Sequence, residues 1–239
     1  MKKTIFLLSA LLYIGIAGAQ ETPKIKIACI GNSITYGSGI KDRARDSYPA
    51  VLNRLLGNDE YDVRNYGIGG RTMLNKGDRP YMKEQAYRDA LAFEPDIVTI
   101  KLGTNDSKPH NWKHHVEFKD DLRTLIRSFQ ALDCDPQIYL CYPIPGTRWG
   151  WGINDSTTLH HVIPYIEEVA TEMNLPIIDL YTAFTPYRHL MPDQIHPNAD
   201  GAFIIAHEIA TVLNEKDKKA IKRRQKAAHK MARKAKLKK

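Results

Sequence analysis

Hydrophobic residues along this chain gather into five short runs: Ile25 to Ile30, Tyr61 to Tyr66, Ile97 to Leu102, Ile138 to Tyr142 and Ile177 to Tyr181. Several are rich in β-branched or aromatic residues and are bounded by Pro, Gly or Asp, as strands buried on both faces of a parallel sheet are. Between them the apolar positions switch to helical spacing, with Val116, Leu122, Leu125, Ile126 and Phe129 in one segment and Ile163, Ile166, Val169, Ala170 and Met173 in another. A last helix is expected over Ala202 to Leu213. Strands alternating with helices predict an α/β fold, a three-layer α/β/α sandwich around one five-stranded parallel sheet. Neither a repeat nor a linker interrupts residues 20–214, so they are expected to form one domain.

The two ends of the chain break this pattern. Residues 1–19 have two lysines, an apolar stretch from Ile5 to Ile16 broken only by Ser9 and Gly15, and then Ala17-Gly18-Ala19. That is the three-part layout of a secretory signal peptide, and the stretch is too short to span a bilayer. An exported protein, periplasmic or secreted and without a transmembrane segment, is expected. Residues 215–239 hold 13 Lys or Arg against two acids, a net of +11. The whole chain carries +8, so once the two N-terminal lysines are set aside, the body between the ends is acidic, with a net of −5. The excess of basic residues therefore says nothing about the body. It describes a tail, helical or disordered, with too little apolar surface to fold alone. Such a tail is either a solvated extension of the last helix or an attachment to an anionic surface, and no specific nucleic-acid partner is expected.

Cys29 and Cys141 fall inside the strand-like runs and read as small buried hydrophobes. Cys134 follows a helical segment, and its pairing with Cys141 stays open. No cysteine spacing suits zinc, and His110, His114 and His115 have no Cys partner, so neither a metal nor any other cofactor is expected.

In a parallel sheet, ligands bind where the strands end and the loops begin. Three polar clusters stand at such places: Gly31-Asn32-Ser33-Ile34-Thr35-Tyr36-Gly37 after the first run, Asn65-Tyr66-Gly67-Ile68-Gly69-Gly70-Arg71-Thr72 after the second, and Gly103-Thr104-Asn105-Asp106 after the third. A fourth, Asp193-Gln194-Ile195-His196-Pro197-Asn198, precedes the last helix. Each alone reads as ordinary turn and capping chemistry.

Together and in this order they resemble the four blocks of the SGNH or GDSL esterase and lipase superfamily, spanning Gly31 to His196, with Asn32 where the family usually has Asp. The resemblance implies a flavodoxin-like fold and a catalytic set of Ser33, Asp193 and His196. It also implies an oxyanion hole made by the backbone N–H groups of Ser33 and Gly70 and the side-chain amide of Asn105. The residue types suit acyl transfer. A serine hydroxyl needs a base within hydrogen-bond reach, which His196 supplies, and Asp193 can hold the other ring nitrogen. Preorganised donors then meet the charge that develops on the carbonyl oxygen. No Gly-x-Ser-x-Gly elbow and no Gly-x-x-x-x-Gly-Lys-Ser/Thr loop competes with this reading.

The loop Pro143 to Gly152 leaves the same sheet edge and carries Arg148, Trp149 and Trp151, which with Asn32 and Arg71 are the candidate substrate-binding residues. Each Trp can equally well pack over the sheet edge. Gly-Asn-Ser-Ile-Thr and the Trp151 to Asp155 stretch resemble exported carbohydrate O-acetylesterases, including sialate-type ones, which implies an acylated small molecule or an O-acetylated glycan as substrate. The alternatives are a lysophospholipase- or thioesterase-type acylhydrolase, and a non-catalytic binder of glycans or anionic surfaces.

Overall fold

The computed structural model describes residues 23–213; the expected signal peptide and basic tail lie outside the described residues. Five parallel strands, β1 (Ile25–Gly31), β2 (Tyr61–Gly67), β3 (Ile97–Lys101), β4 (Gln137–Cys141) and β5 (Ile177–Ile178), form one sheet in the order β2-β1-β3-β4-β5. This is the doubly wound order of the flavodoxin-like fold. Side chains alternate between the two sides of each strand, and each side builds its own core. Ile25, Ile27, Cys29, Ile97, Tyr139 and Cys141 face one core, and Ala28, Ile30, Val98, Ile100, Ile138 and Leu140 face the other.

Seven helices matter for the site: α1 (Ser33–Tyr36), α2 (Tyr48–Leu56), α3 (Gln85–Ala92), α4 (Phe118–Gln130), α5 (Ile163–Glu172), α6 (Leu180–Phe184) and α7 (Ala199–Val212). Helices α2, α6 and α7 cover the first core through Val51, Leu52, Leu180, Phe184, Ile205 and Ile209. Helices α3, α4 and α5 cover the second through Ala90, Leu122, Leu125, Phe129, Ile166 and Val169. Three layers result because an all-buried strand such as β3 needs a helix layer on each side to exclude water.

Two expectations are corrected. The fifth apolar run was expected to be a strand as far as Tyr181, but it stops after two residues. Asp179 accepts a hydrogen bond from Thr182 N at 2.9 Å and so starts α6, which turns Tyr181 into helix. Val116 was assigned to the buried stripe of a helix but is 71% exposed, in a short 3₁₀ turn before α4; Phe118 fills the core there instead. Cys29 and Cys141 are buried in the sheet, and the Cys134 thiol donates to Pro95 O at 3.3 Å. None of the three cysteines is paired with another. No described helix is long and apolar enough to cross a membrane. Among the described residues no group of three or more His, Cys, Asp or Glu could hold a metal.

Candidate active site

Strand β1 ends inside the sheet, between the ends of β2 and β3. The chain turns there at Asn32, whose Oδ1 accepts from Ile34 N at 3.1 Å and caps α1. Ser33 is thus the first residue of a four-residue helix. That helix lies tight against the end of β2. A Cβ on Gly67 would come within 2.3 Å of Tyr36 N, so only glycine allows this approach. Asn65 fastens the same junction, donating to Thr35 O at 2.7 Å and accepting from Gly67 N at 2.9 Å.

The other half of the site comes from the turn before α7. Asp193 Oδ1 accepts from the backbone N–H of Ile195 at 3.1 Å and of His196 at 2.7 Å, while Oδ2 accepts from His196 Nδ1 at 2.7 Å. A carboxylate only accepts, so Nδ1 carries a proton, and the neutral ring presents a lone pair at Nε2. Nε2 lies 2.8 Å from Ser33 Oγ. Residues 163 positions apart in sequence therefore form one hydrogen-bonded line from carboxylate to imidazole to hydroxyl. Burial works to raise the Asp193 pKa, but the hydrogen bonds from the His196 backbone and imidazole and from Ile195 outweigh it. They hold the carboxyl below the usual carboxylate range.

Gly70 and Asn105 follow the ends of β2 and β3, one on each side of Ser33. Gly70 has φ +79°, a conformation that side chains rarely adopt. Among the described residues, the N–H groups of Ser33 and Gly70 are not taken up by backbone hydrogen bonds. The Asn105 amide donates to Arg71 O at 3.1 Å, which joins it to the residue next to Gly70. The loop beyond is tied down by Asp106, whose fully buried carboxylate accepts from Met73 N at 3.0 Å and Leu74 N at 2.8 Å. Burial pushes the Asp106 pKa up to about 6, against the opposing effect of those two N–H groups.

The five residues named as substrate contacts divide. Asn32 is fully buried and serves as the α1 cap, so it cannot touch a ligand. Arg71 is committed to the protein: its guanidinium pairs with Glu84 at 2.9 Å and donates to Gly69 O at 2.6 Å, bracing the loop that carries Gly70. Arg148 turns its Nη1 toward Asp193 Oδ2, at 3.0 Å. Trp149 and Trp151 do not pack over the sheet edge; they are 75% and 48% exposed. The Trp151 ring lies 5.9 Å from the His196 ring, and the Arg148 guanidinium lies over the Trp151 ring, 3.7 Å from its centroid. Of the histidines considered for metal, His110 pairs with Asp78 at 3.2 Å, while His115 stacks on Trp112.

Three further residues have places in the structure that their sequence neighbours do not reveal. Asp106 stands directly after Asn105, and its role emerges only because the 73–74 backbone folds over it. Asp155 accepts from Gly146 N, Tyr181 Oη and Arg188 Nη2, and so holds the Trp-bearing loop to α6 and the turn after it. Lys101 lies inside an apolar run, is fully buried, and has an Nζ without a hydrogen-bond partner. A lysine within such a run was the available signal.

Known proteins share the family pattern and the fold. An acetylxylan esterase from Xylanibacter ruminicola is 45% identical over 213 residues, which cover 82% of this chain and 44% of that protein. The chain therefore spans less than half the length of that relative. A lipase/acylhydrolase from Enterococcus faecalis has the same fold, with a TM-score of 0.65 at 24% identity over 79% of this chain and 95% of that one. So does a carbohydrate acetylesterase from Sinorhizobium meliloti, with a TM-score of 0.64 at 20% identity over 80% of this chain and 98% of that one. The pattern of one family matches residues 29–202, from the end of β1 into α7, and so takes in all four clusters. With the Asp193, His196 and Ser33 line contained in that span, the chain belongs to the GDSL-like lipase/acylhydrolase family.

Proposed function

We propose that the protein is a serine esterase that removes acetyl groups from carbohydrates. The observation that carries this reading is the line from Asp193 through His196 to Ser33 Oγ, with hydrogen bonds of 2.7 and 2.8 Å. In the proposed reaction Ser33 Oγ attacks the ester carbonyl carbon while its proton passes to His196 Nε2. The carbonyl oxygen, now negative, takes hydrogen bonds from the N–H groups of Ser33 and Gly70 and from the Asn105 amide. Collapse of the tetrahedral species breaks the bond to the sugar oxygen, which leaves as an alcohol carrying the proton held by His196. A water molecule then gives its proton to His196, attacks the acetyl-serine and releases acetate, and the proton returns to Ser33.

The preference for acetyl esters of sugars rests on the acetylxylan esterase relative and on the exposed Trp151 ring beside His196, an apolar face suited to a sugar ring. The three-part layout of residues 1–19 supports action outside the cytoplasm, and the +11 of residues 215–239 supports retention near an anionic surface. Ser33→Ala is expected to bring hydrolysis of p-nitrophenyl acetate to near background with an unchanged circular dichroism spectrum. Retained turnover in that variant would overturn the assignment, as would failure of a fluorophosphonate to label Ser33. Wild-type activity is expected to fall steeply from acetyl to octanoyl esters and to release acetate from acetylated xylan; preference for octanoyl would point to a lysophospholipase- or thioesterase-type acylhydrolase.

A further inference from the structure

Asp193 Oδ2 receives two donors, His196 Nδ1 at 2.7 Å and Arg148 Nη1 at 3.0 Å. Its other oxygen is held by two backbone N–H groups, so the carboxylate has little freedom to rotate. Arg148 is itself fixed from three directions. Its guanidinium lies on the Trp151 ring, 3.7 Å from the centroid. Its backbone N–H donates to Ile153 O at 3.1 Å, and its carbonyl accepts from Trp151 N at 2.9 Å, which closes the loop on itself. Thr147 N donates to Gln194 O at 3.2 Å, so the neighbouring backbone is bonded to the Asp193–His196 turn. That turn holds Gln194 at φ +67°, a left-handed conformation uncommon for a side chain, and such a turn needs support from outside.

We propose that Arg148 is a positioning residue: by bonding Asp193 Oδ2 while lying on Trp151, it fixes the carboxylate that orients His196 and joins the Trp151 ring to the Asp193–His196 pair. Arg148 thus acts on the reaction through Asp193 and is not itself a substrate contact. A guanidinium suits the place because its planar fork can stack and donate at once, which an ammonium cannot do. The kinetic part of this inference rests on the esterase reading; the structural part does not.

The test uses the full chain with p-nitrophenyl acetate, an ester that carries no sugar ring. Arg148→Met keeps a stem over Trp151 and removes the donor. It is expected to lower kcat about tenfold while KM stays within roughly twofold, the scale of one charge-assisted hydrogen bond. Arg148→Lys should recover part of kcat. In an Asp193→Asn background, Arg148→Met should cost no further activity, because both changes break the same link. A second readout needs no turnover: the low-field proton resonance of His196 Nδ1–H in nitrogen-15-labelled protein should shift in Arg148→Met. The inference is overturned by an unmoved resonance, by a rise in KM with kcat intact, or by losses that multiply in the double variant. If the wild type hydrolyses no ester, the esterase reading fails, and the resonance alone still decides the role of Arg148.

Discussion

In the proposed reaction Asn105 has one side-chain amide for two tasks. One N–H is spent on Arg71 O at 3.1 Å, and the second would meet the substrate oxygen. The first bond orients the second, so the donor needs no reorganisation when charge develops. Asn105→Ala is expected to lower kcat by roughly 10² to 10³ with the melting transition nearly unmoved, measured by steady-state hydrolysis beside calorimetry. Lys101 shows the opposite economy. Its ammonium is buried in the sheet without a hydrogen-bond partner, and burial pulls its pKa from the ordinary 10.5 down to about 7, with Cys141 acting weakly the other way. The unfolded chain therefore binds more protons than the folded one between those two values, and stability is lost as the pH falls from 10.5 toward 7. Lys101→Met removes that penalty at similar volume. Its melting temperature should exceed the wild type's most at and below neutral pH, and the gain should shrink toward about pH 10. A constant gain across that range would show that titration of Lys101 is not its source.

At the scale of elements, the loop between β2 and α3 is the one that must be held in place. It has no regular structure of its own before its 3₁₀ turn at Tyr81–Lys83, and it carries Gly70. Asp106 takes Met73 N and Leu74 N, Asn111 Oδ1 takes Asp78 N at 2.8 Å, and Asp121 takes Asn75 N at 2.7 Å. Each partner follows β3 in sequence, so the loop from the second strand is fastened to the ground that carries Asn105. Asp106→Asn replaces one acceptor by an NH₂ group facing a backbone N–H. It should lower both the melting temperature and kcat, with hydrogen exchange rising first in residues 73–74. Loss of stability without loss of kcat would separate the loop from the chemistry. Gly70→Ala should lower kcat more than stability: a Cβ there meets nothing closer than 3.5 Å, so the cost comes from φ +79°.

Over the whole molecule, the charge divides between a body of −5 and a C-terminal segment of +11. Every proposed site residue lies between Ser33 and His196, so removing residues 215–239 should leave ester turnover unchanged while retention on anionic beads is lost. A fall in turnover would place the segment within reach of the site.

Much of this was legible in the sequence because its signals are local. The five apolar runs needed only burial on both faces to become strands, and four of them kept nearly their expected length. The fifth failed because Asp179 caps a helix, a competition that an apolar count does not register. Ser33, Asp193 and His196 stood in clusters that are ordinary turns one by one and resemble a family's catalytic blocks only in their order along the chain. The roles of Asn32, Arg71 and Arg148 were not legible, because polar residues beside a site serve substrate or scaffold according to what lies across from them. Asn32 faces a helix backbone, Arg71 faces Glu84, and Arg148 faces Asp193. The strand and helix runs, the four clusters and the partition of charge are properties of the sequence, since periodicity and turn chemistry act between near neighbours. The meeting of Ser33 with His196, the burial of Lys101 and the hold of Arg148 on Asp193 belong to the tertiary structure alone. They depend on distances between residues far apart in the chain, and only the packing of two helical layers on one sheet sets those distances.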